Sequence, residues 1–395
     1  MPSSGPGAWL RLTAFAAAVA TGLAAASGEL GLAHRALVAL ALPLLLAVCL
    51  AAIFAHRRLV SAAGSALVLF VAATATWWSA RLHVALAGLA FAAALLATAQ
   101  AFRGESVARG SWRDYVTLTK PRIMSLLLLT GAAGMFVGDG GVPPVGELGL
   151  MLGGLALACG GASALNHVLD ADVDRLMGKR TERRPVAAGR VSPTGALEFG
   201  LTLSAFSFVL LASLVNVVAA LLALVGNLFY VLVYTRWLKR RTAQNIVIGG
   251  AAGAVPPLVG WAAATGDLTL PALALFAIVF FWTPPHFWAL ALLLRREYEA
   301  ARIPMLPVVR GERETTRQIL VYTGVLVGVT LLPLAWAMFG IVYAAAAVTL
   351  GGVFVLLAWR LRVDPAPRRA ALLFHYSLAY LALLFVAMAV DPLVL

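Results

Sequence analysis

The sequence predicts an all-α, polytopic membrane protein of thirteen spans, four in an N-terminal unit and nine after it, and three observations carry that prediction. Of 395 residues, 62% are hydrophobic and only 12% are charged, where a soluble domain carries about a quarter charged residues. Mean hydropathy is +0.92. The apolar residues gather in runs near the ~20-residue length that lets a helix cross a bilayer. The alternating ten-residue strands of an outer-membrane barrel are missing. A soluble enzyme and a barrel are both excluded.

In chain order, apolar runs between charge clusters predict spans at roughly 8–27, 36–55, 60–79, 84–102, 123–138, 147–169, 194–214, 216–235, 246–264, 270–292, 318–339, 341–360 and 370–390. The first follows a single Arg11, and its Ala24-Ala-Ala-Ser27 resembles a leader-cleavage site. Charge placement favours keeping it as a span. With the N-terminus inside, 28 of the 30 Lys and Arg fall on one side of the membrane, and only Arg35 and Arg81 fall outside. The net charge of +13 is therefore read first as topology: the cytoplasmic membrane of a prokaryote, N-terminus inside and C-terminus outside. Part of it serves anionic lipid heads, and no nucleic acid is expected. The polar stretch Arg103–Asp114 sets a cytoplasmic linker at 104–120 between a 1–103 unit and a 121–395 unit. Cys49 and Cys159 lie inside apolar runs and read as small hydrophobes.

Eight aspartates serve the whole chain, and three sit within Asp170-Ala-Asp172-Val-Asp174 at the inner end of the sixth span. Asn166, Asp170 and Asp174 recur at i, i+4 and i+8, one stripe of a helix, while Asp172 points elsewhere. Two carboxylates and an amide at a membrane boundary are hard oxygen ligands of the kind Mg²⁺ takes together with substrate phosphate oxygens. The residues that follow include Arg180, Arg183 and Arg184, and a second basic run at the end of the eighth span contains Arg236, Lys239 and Arg240. Guanidinium groups match phosphate oxygens bidentately. The alternative reading makes the basic runs positive-inside anchors and the acids a helix-end charge pair, although acids at a membrane boundary are costly and usually functional.

Asn166-x3-Asp170-x3-Asp174 followed by Arg184-Pro and Gly189-Arg-Val resembles the first signature of the UbiA-type intramembrane prenyltransferase superfamily. Three further strings resemble its protohaem IX farnesyltransferase (haem O synthase) branch. They run from Trp237-Leu-Lys239 through Pro256-Pro257 to Trp261, from Trp282-Thr-Pro-Pro through His286 to Trp288, and over Ile303-Pro304-Met-Leu-Pro307. The resemblance covers residues ~112–390. It implies a nine-helix intramembrane prenyltransferase bundle that transfers farnesyl from farnesyl diphosphate to a vinyl group of haem b, with water addition, giving haem O. It further implies Mg²⁺ held by Asp170 and Asp174 and oriented by Asn166, with Lys239 as a catalytic cation. Arg180, Arg183, Arg184, Arg236 and Arg240 are the implied diphosphate ligands. The superfamily's second Asp-rich motif is missing; Glu297 and Glu299 stand near that place as candidate carboxylates for a second Mg²⁺. His286, between Trp282 and Trp288, is a candidate haem contact, and equally a hydrogen-bonded packing residue in a Pro-interrupted helix. Arg302 stands where the resemblance implies a smaller residue.

Gly249-Gly250-Ala-Ala-Gly253 has the small-residue spacing of close helix packing. In the N-terminal unit, His34 and His83 lie at the outer ends of two predicted spans, and their separation, with Glu29 and Arg35, resembles one half of a haem A synthase. Only one half is present, so the expectation is a degenerate, structural unit. Expected partners are farnesyl diphosphate, haem b and the lipid bilayer, with haem A synthase or terminal-oxidase assembly factors on the protein side. The competing functions are a prenyltransferase with another acceptor, and a haem carrier or transporter. A transporter would place its site midway through repeated halves, whereas these acids and bases cluster at one face.

Overall fold

The computed structural model describes residues 110–394, with five isolated positions before them. Apart from those positions, the four predicted N-terminal spans, with His34 and His83, lie outside the described residues. Among the described residues every element is helical, and nine helices are long and apolar enough to cross a membrane.

The chain enters through α1 (Trp112–Thr119), closed at its start by a reciprocal capping box between Ser111 and Asp114. This helix falls inside the stretch read as a linker. Trp112 is 72% exposed while Leu118 is buried, and Ser163 donates to the Leu118 carbonyl at 2.6 Å, so α1 lies across the bundle's end. Spans one to three follow as α2 (Pro121–Asp139), α3 (Val145–Leu169) and α6 (Pro193–Leu214). Between the last two sit the short helices α4 (Ala171–Leu176) and α5 (Lys179–Glu182). The fourth span begins as α7 (Val217–Leu228), widens into a π-helix over Phe229–Trp237 and tightens to a 3₁₀ turn at Leu238–Arg240. The fifth is broken at Ala254 into α8 (Asn245–Gly253) and α9 (Val255–Thr265), because Pro256 and Pro257 bring no backbone N–H to the ladder.

Span six is α10 (Leu270–Leu293); α11 (Arg295–Ala300) and α12 (Leu306–Val309) lead to α13 (Gly311–Ala335), α14 (Ile341–Val363) and α15 (Pro367–Val394). The seventh span thus runs over 311–335 where hydropathy placed it at 318–339. Its first two turns, Gly311-Glu-Arg-Glu-Thr-Thr-Arg-Gln318, are polar, so a hydropathy scan cannot see them. Neighbouring spans pack in chain order, and α15 also packs on α2, which closes the ring. The two larger of its apolar clusters lie around Met151, Leu155 and Leu211 and around Trp282, Tyr343, Phe354 and Phe385.

Close approach is built in where α9 crosses α2: a Cβ on Gly260 would sit 1.8 Å from the Gly131 carbonyl oxygen, so only hydrogen fits there. The Gly249–Gly253 stretch divides its task, Gly249 lying under the Tyr234 ring and Gly250 against Thr283. Arg302, where the resemblance implied a smaller residue, has φ 56, the left-handed region that a side chain enters at a cost of roughly 1–2 kcal/mol. Arg302→Gly is expected to raise stability by about 0.5–1 kcal/mol after glycine's extra unfolded-state entropy is subtracted. A detergent-solubilised thermal midpoint checks it, and a lowered midpoint would count against strain at this residue.

Candidate active site

The acidic stripe falls where a helix ends. Asp170 caps α3 with φ −97 and ψ 2, and the Asp174 amide still donates to the Asp170 carbonyl at 2.8 Å, so the i+4 relation passes through the break into α4. Asn166, Asp170 and Asp174 are buried at 3%, 1% and 1% exposure. Asp172, on the other side, pairs with Arg240 through two contacts of 2.7 Å.

Each buried carboxylate is tied to a cation by one oxygen. Lys239 Nζ lies 2.5 Å from Asp170 Oδ2, and Arg184 Nη1 lies 2.6 Å from Asp174 Oδ1. Asn166 Nδ2 donates to Asp170 Oδ2 at 2.8 Å and to Thr235 Oγ1 at 3.2 Å, and its Oδ1 accepts from Lys120 Nζ at 2.7 Å. Asn166 thus orients Asp170 through its amide nitrogen while its oxygen faces Lys120. The other oxygens, Asp170 Oδ1 and Asp174 Oδ2, are buried without a partner. An unmet buried acceptor costs about 1–3 kcal/mol, more when charged, and two of them a helical turn apart fit a divalent cation. No group of three or more His, Cys, Asp or Glu gathers at one point among the described residues. A carboxylate pair completed by substrate oxygens is the usual form of a Mg²⁺ site, so these residues fit that ion.

The π-helix makes this geometry. Its wider turn, a feature frequent at functional sites, carries Thr235 to Asn166 and delivers Lys239 to Asp170. Tyr230 and Tyr234 stack along it with ring centroids 5.5 Å apart. Burial raises the Asp174 carboxyl above its usual pKa, against the pull of the Arg184 guanidinium. Lys120 is lowered to about 7, first by burial and then by the Arg184 cation, with Asp170 pulling the other way. Burial pushes the Tyr298 hydroxyl up to about 12, opposed by Arg184 and reinforced by Asp170.

The expected cations divide. Lys239 and Arg184 reach the carboxylates. Arg240 binds Asp172 and the Leu169 carbonyl, bracing the end of α3 from outside the acidic pocket. Arg183 and Arg236 are exposed, and Arg180 lies on α5. Glu297 sits 4.0 Å, at its Cγ, from where a Cβ on Gly178 would stand, at the edge of the basic loop, and Glu299 is exposed. Composition gave no reason to single out Lys120, one cation among several before the first of the nine spans. His167 was missed as well: it is 1% exposed and neither ring nitrogen has a partner. Its one cue was sequence position, seven residues before Asp174 and thus on the same helical stripe.

The three aromatic candidates do not converge. Trp282 and His286 face α15, where the imidazole stacks between Trp282 at 4.3 Å and Phe374 at 4.8 Å. Ser377 lies 2.7 Å from His286 Nδ1, and its carbonyl accepts from Trp282 Nε1 at 2.7 Å. Both faces of the imidazole are covered. Trp288 points to α13 instead and meets Tyr322 edge-on at 5.2 Å.

Residues 127–387 match the model of the UbiA prenyltransferase family. The curated protoheme IX farnesyltransferase of Trichodesmium erythraeum is 52% identical over 286 residues, which are 71% of this chain and 86% of that protein. Among solved structures, one described as a digeranylgeranylglyceryl phosphate synthase superposes with a TM-score of 0.61 at 17% identity, over 72% of this chain and 99% of its own. A UbiA homologue from Archaeoglobus fulgidus, bound to GPP and Mg²⁺, gives 0.54 at 17% identity over 70% and 99%. At those identities the structures speak for the fold, and the sequence match speaks for descent. The chain belongs to the UbiA prenyltransferase family and, within it, to the protoheme IX farnesyltransferases.

Proposed function

We propose that this chain transfers the farnesyl group of farnesyl diphosphate to a vinyl group of haem b, with water addition, releasing diphosphate and giving haem O. The observation that carries the site is the pair of partnerless oxygens on Asp170 and Asp174, buried at 1% exposure and ringed by Lys120, Lys239 and Arg184. Asp170 and Asp174 would hold Mg²⁺, as the fold neighbour that carries GPP and Mg²⁺ supports. When bound, that ion supplies Lewis-acid neutralisation of diphosphate charge.

The remaining work falls to side chains. Lys239, Arg184 and Lys120 bind the diphosphate oxygens and stabilise the negative charge that grows on them as the allylic C–O bond breaks and its electron pair leaves with the diphosphate. Asn166 fixes the Asp170 rotamer through the 2.8 Å bond. The electrons of the haem vinyl group then form the new C–C bond, water adds to the carbon left electron-poor, and its proton is released. The stacked Tyr230 and Tyr234 shield the reacting carbon from water arriving too early. Glu297, against Gly178 in the basic loop, and Glu299 remain the candidates for a second Mg²⁺.

The one-sided placement of Lys and Arg supports a cytoplasmic location for the acidic end, with the N-terminus inside. In the proposed pathway the product passes to haem A synthase or to terminal-oxidase assembly. Incubating membranes that hold the full chain with haem b, farnesyl diphosphate and Mg²⁺ should yield haem O by mass, and chelation should stop it. Farnesylation of an aromatic ring in place of haem, or haem movement with no new product, would overturn the reading.

A further inference from the structure

A cavity of about 360 Å³ lies between the turn after the fourth span, the end of α10, α12 and the first turns of α13. None of Lys120, Asp170, Asp174, Arg184 or Lys239 lines it. The two lining cations, Arg241 and Arg310, are exposed, and neither guanidinium makes an ion pair or hydrogen bond with any described residue, although Arg310 stands close enough to Glu314 to be felt by it electrostatically. The one carboxylate on its wall, Glu314, is engaged with Gln318 at 2.7 Å and Arg317 at 3.4 Å. Trp288 also lines the cavity; it is 2% exposed, and its indole N–H has no partner. The surplus is therefore of donors, two of them cationic.

The cavity also has depth. Arg310 precedes α13, and Tyr322 lies twelve residues further along that helix, about 18 Å at 1.5 Å per residue. The wall passes from cations at the loop end to Trp288 and Tyr322 in the apolar layer. A free inorganic anion would leave the apolar part unfilled, and a neutral lipid would leave the cations unmet. Basic pockets between spans are known homes for acidic lipid heads.

We propose that this cavity binds the anionic head of a membrane amphiphile, a carboxylate or phosphate held by Arg241 and Arg310, with its apolar body against Trp288 and Tyr322. Two sources carry that chemistry: the phosphate of an acidic bilayer lipid, and the propionates of the porphyrin acceptor. The second rests on the proposed function and the first does not.

The test uses the full chain in phosphatidylcholine nanodiscs, without farnesyl diphosphate or Mg²⁺, so that no outcome depends on turnover. One arm titrates phosphatidylglycerol, read by native mass spectrometry. The other titrates haem b against its dimethyl ester, read by absorbance. The double variant Arg241→Gln, Arg310→Gln is expected to bind one of the two anions at least tenfold more weakly. Loss for phosphatidylglycerol assigns the lipid. Loss for haem b, with the ester bound equally by parent and variant, assigns the porphyrin. A variant that binds both anions as the parent does overturns the site. Arg310→Gln alone, at an exposed position, guards against misfolding with an expected loss of about threefold, and no loss there overturns the role of that guanidinium. A chain that makes no haem O yet binds phosphatidylglycerol through these arginines would overturn the proposed function and leave this site standing.

Discussion

Asp170→Asn and Asp174→Asn are each expected to lower haem O formation by at least about 10³-fold, on the order of 4 kcal/mol of transition-state stabilisation, while the neighbouring Asp172→Asn changes it less than about threefold. All three replacements remove one charge from one five-residue motif, so bulk charge cannot explain a difference among them. What separates them is direction. Asp170 and Asp174 are buried, each with one oxygen on a cation and one oxygen free. Asp172 is 64% exposed at its side chain and fully engaged by Arg240, a surface pair worth about 1 kcal/mol at most. Stability should move the other way at one position. Burial raises the Asp174 carboxyl against the pull of Arg184, so keeping that carboxylate charged costs the folded, unliganded chain some stability. Asp174→Asn should therefore melt at or above the parent's midpoint when substrate and metal are withheld, a cost of function relieved by the mutation. Asp170→Asn should melt below it, because Lys239, 11% exposed at its side chain, loses its counter-charge. Steady-state assays with haem b, beside thermal melts of the same preparations, check both halves. Activity within tenfold of the parent in either buried-site variant would sink the metal-site assignment.

The legible parts of this protein were those with a period or a charge asymmetry. Runs of ~20 apolar residues placed the nine spans that the described residues contain, and the i, i+4, i+8 spacing put Asn166, Asp170 and Asp174 on one stripe because a helix really does carry them past its own end. What stayed hidden depends on departures from regular helix or on distant residues. Hydropathy cannot separate a π-turn from an α-turn, so nothing in Phe229–Trp237 announced which cation of the run at 236–241 would swing inward; Lys239 does and Arg240 does not. The polar opening turns of α13 carry no apolar signal at all. Trp282, His286 and Trp288 looked like one cluster because they are close in sequence, yet a separation of six residues turns Trp288 most of the way to the opposite helix face. At Arg302 the family pattern implied a smaller residue without saying why; the backbone there has φ 56.

Lys120 carries the second large effect, and its backbone makes the test clean. It sits at φ 51 and ψ 59, left-handed, directly before Pro121, although the residue before a proline is sterically pushed toward extended conformations. Such a residue costs of order 1–3 kcal/mol and persists only where its surroundings hold it. Here the strained link joins α1 to α2, and it sets the ammonium 2.7 Å from Asn166 Oδ1, beside the carboxylate pair and Arg184. A helix-to-helix joint needs no lysine for this shape; glycine would adopt it freely. A cation at the rim of a diphosphate pocket does need the charge, since hydrogen bonds to charged groups contribute about 1.5–3 kcal/mol. Lys120→Gly should therefore hold or slightly raise the thermal midpoint, yet reduce kcat/KM for farnesyl diphosphate by about 10²-fold, or 2.7 kcal/mol, with much of the loss in KM. Lys120→Arg keeps the charge and should recover part of the loss, and Lys120→Met should lose the activity together with stability, since it keeps the strain and drops the bond to Asn166. The opposite pattern, with Lys120→Gly fully active but cold-melting, would make the lysine a structural strut and leave the diphosphate role to Lys239 and Arg184, the two cations that pair with the carboxylates.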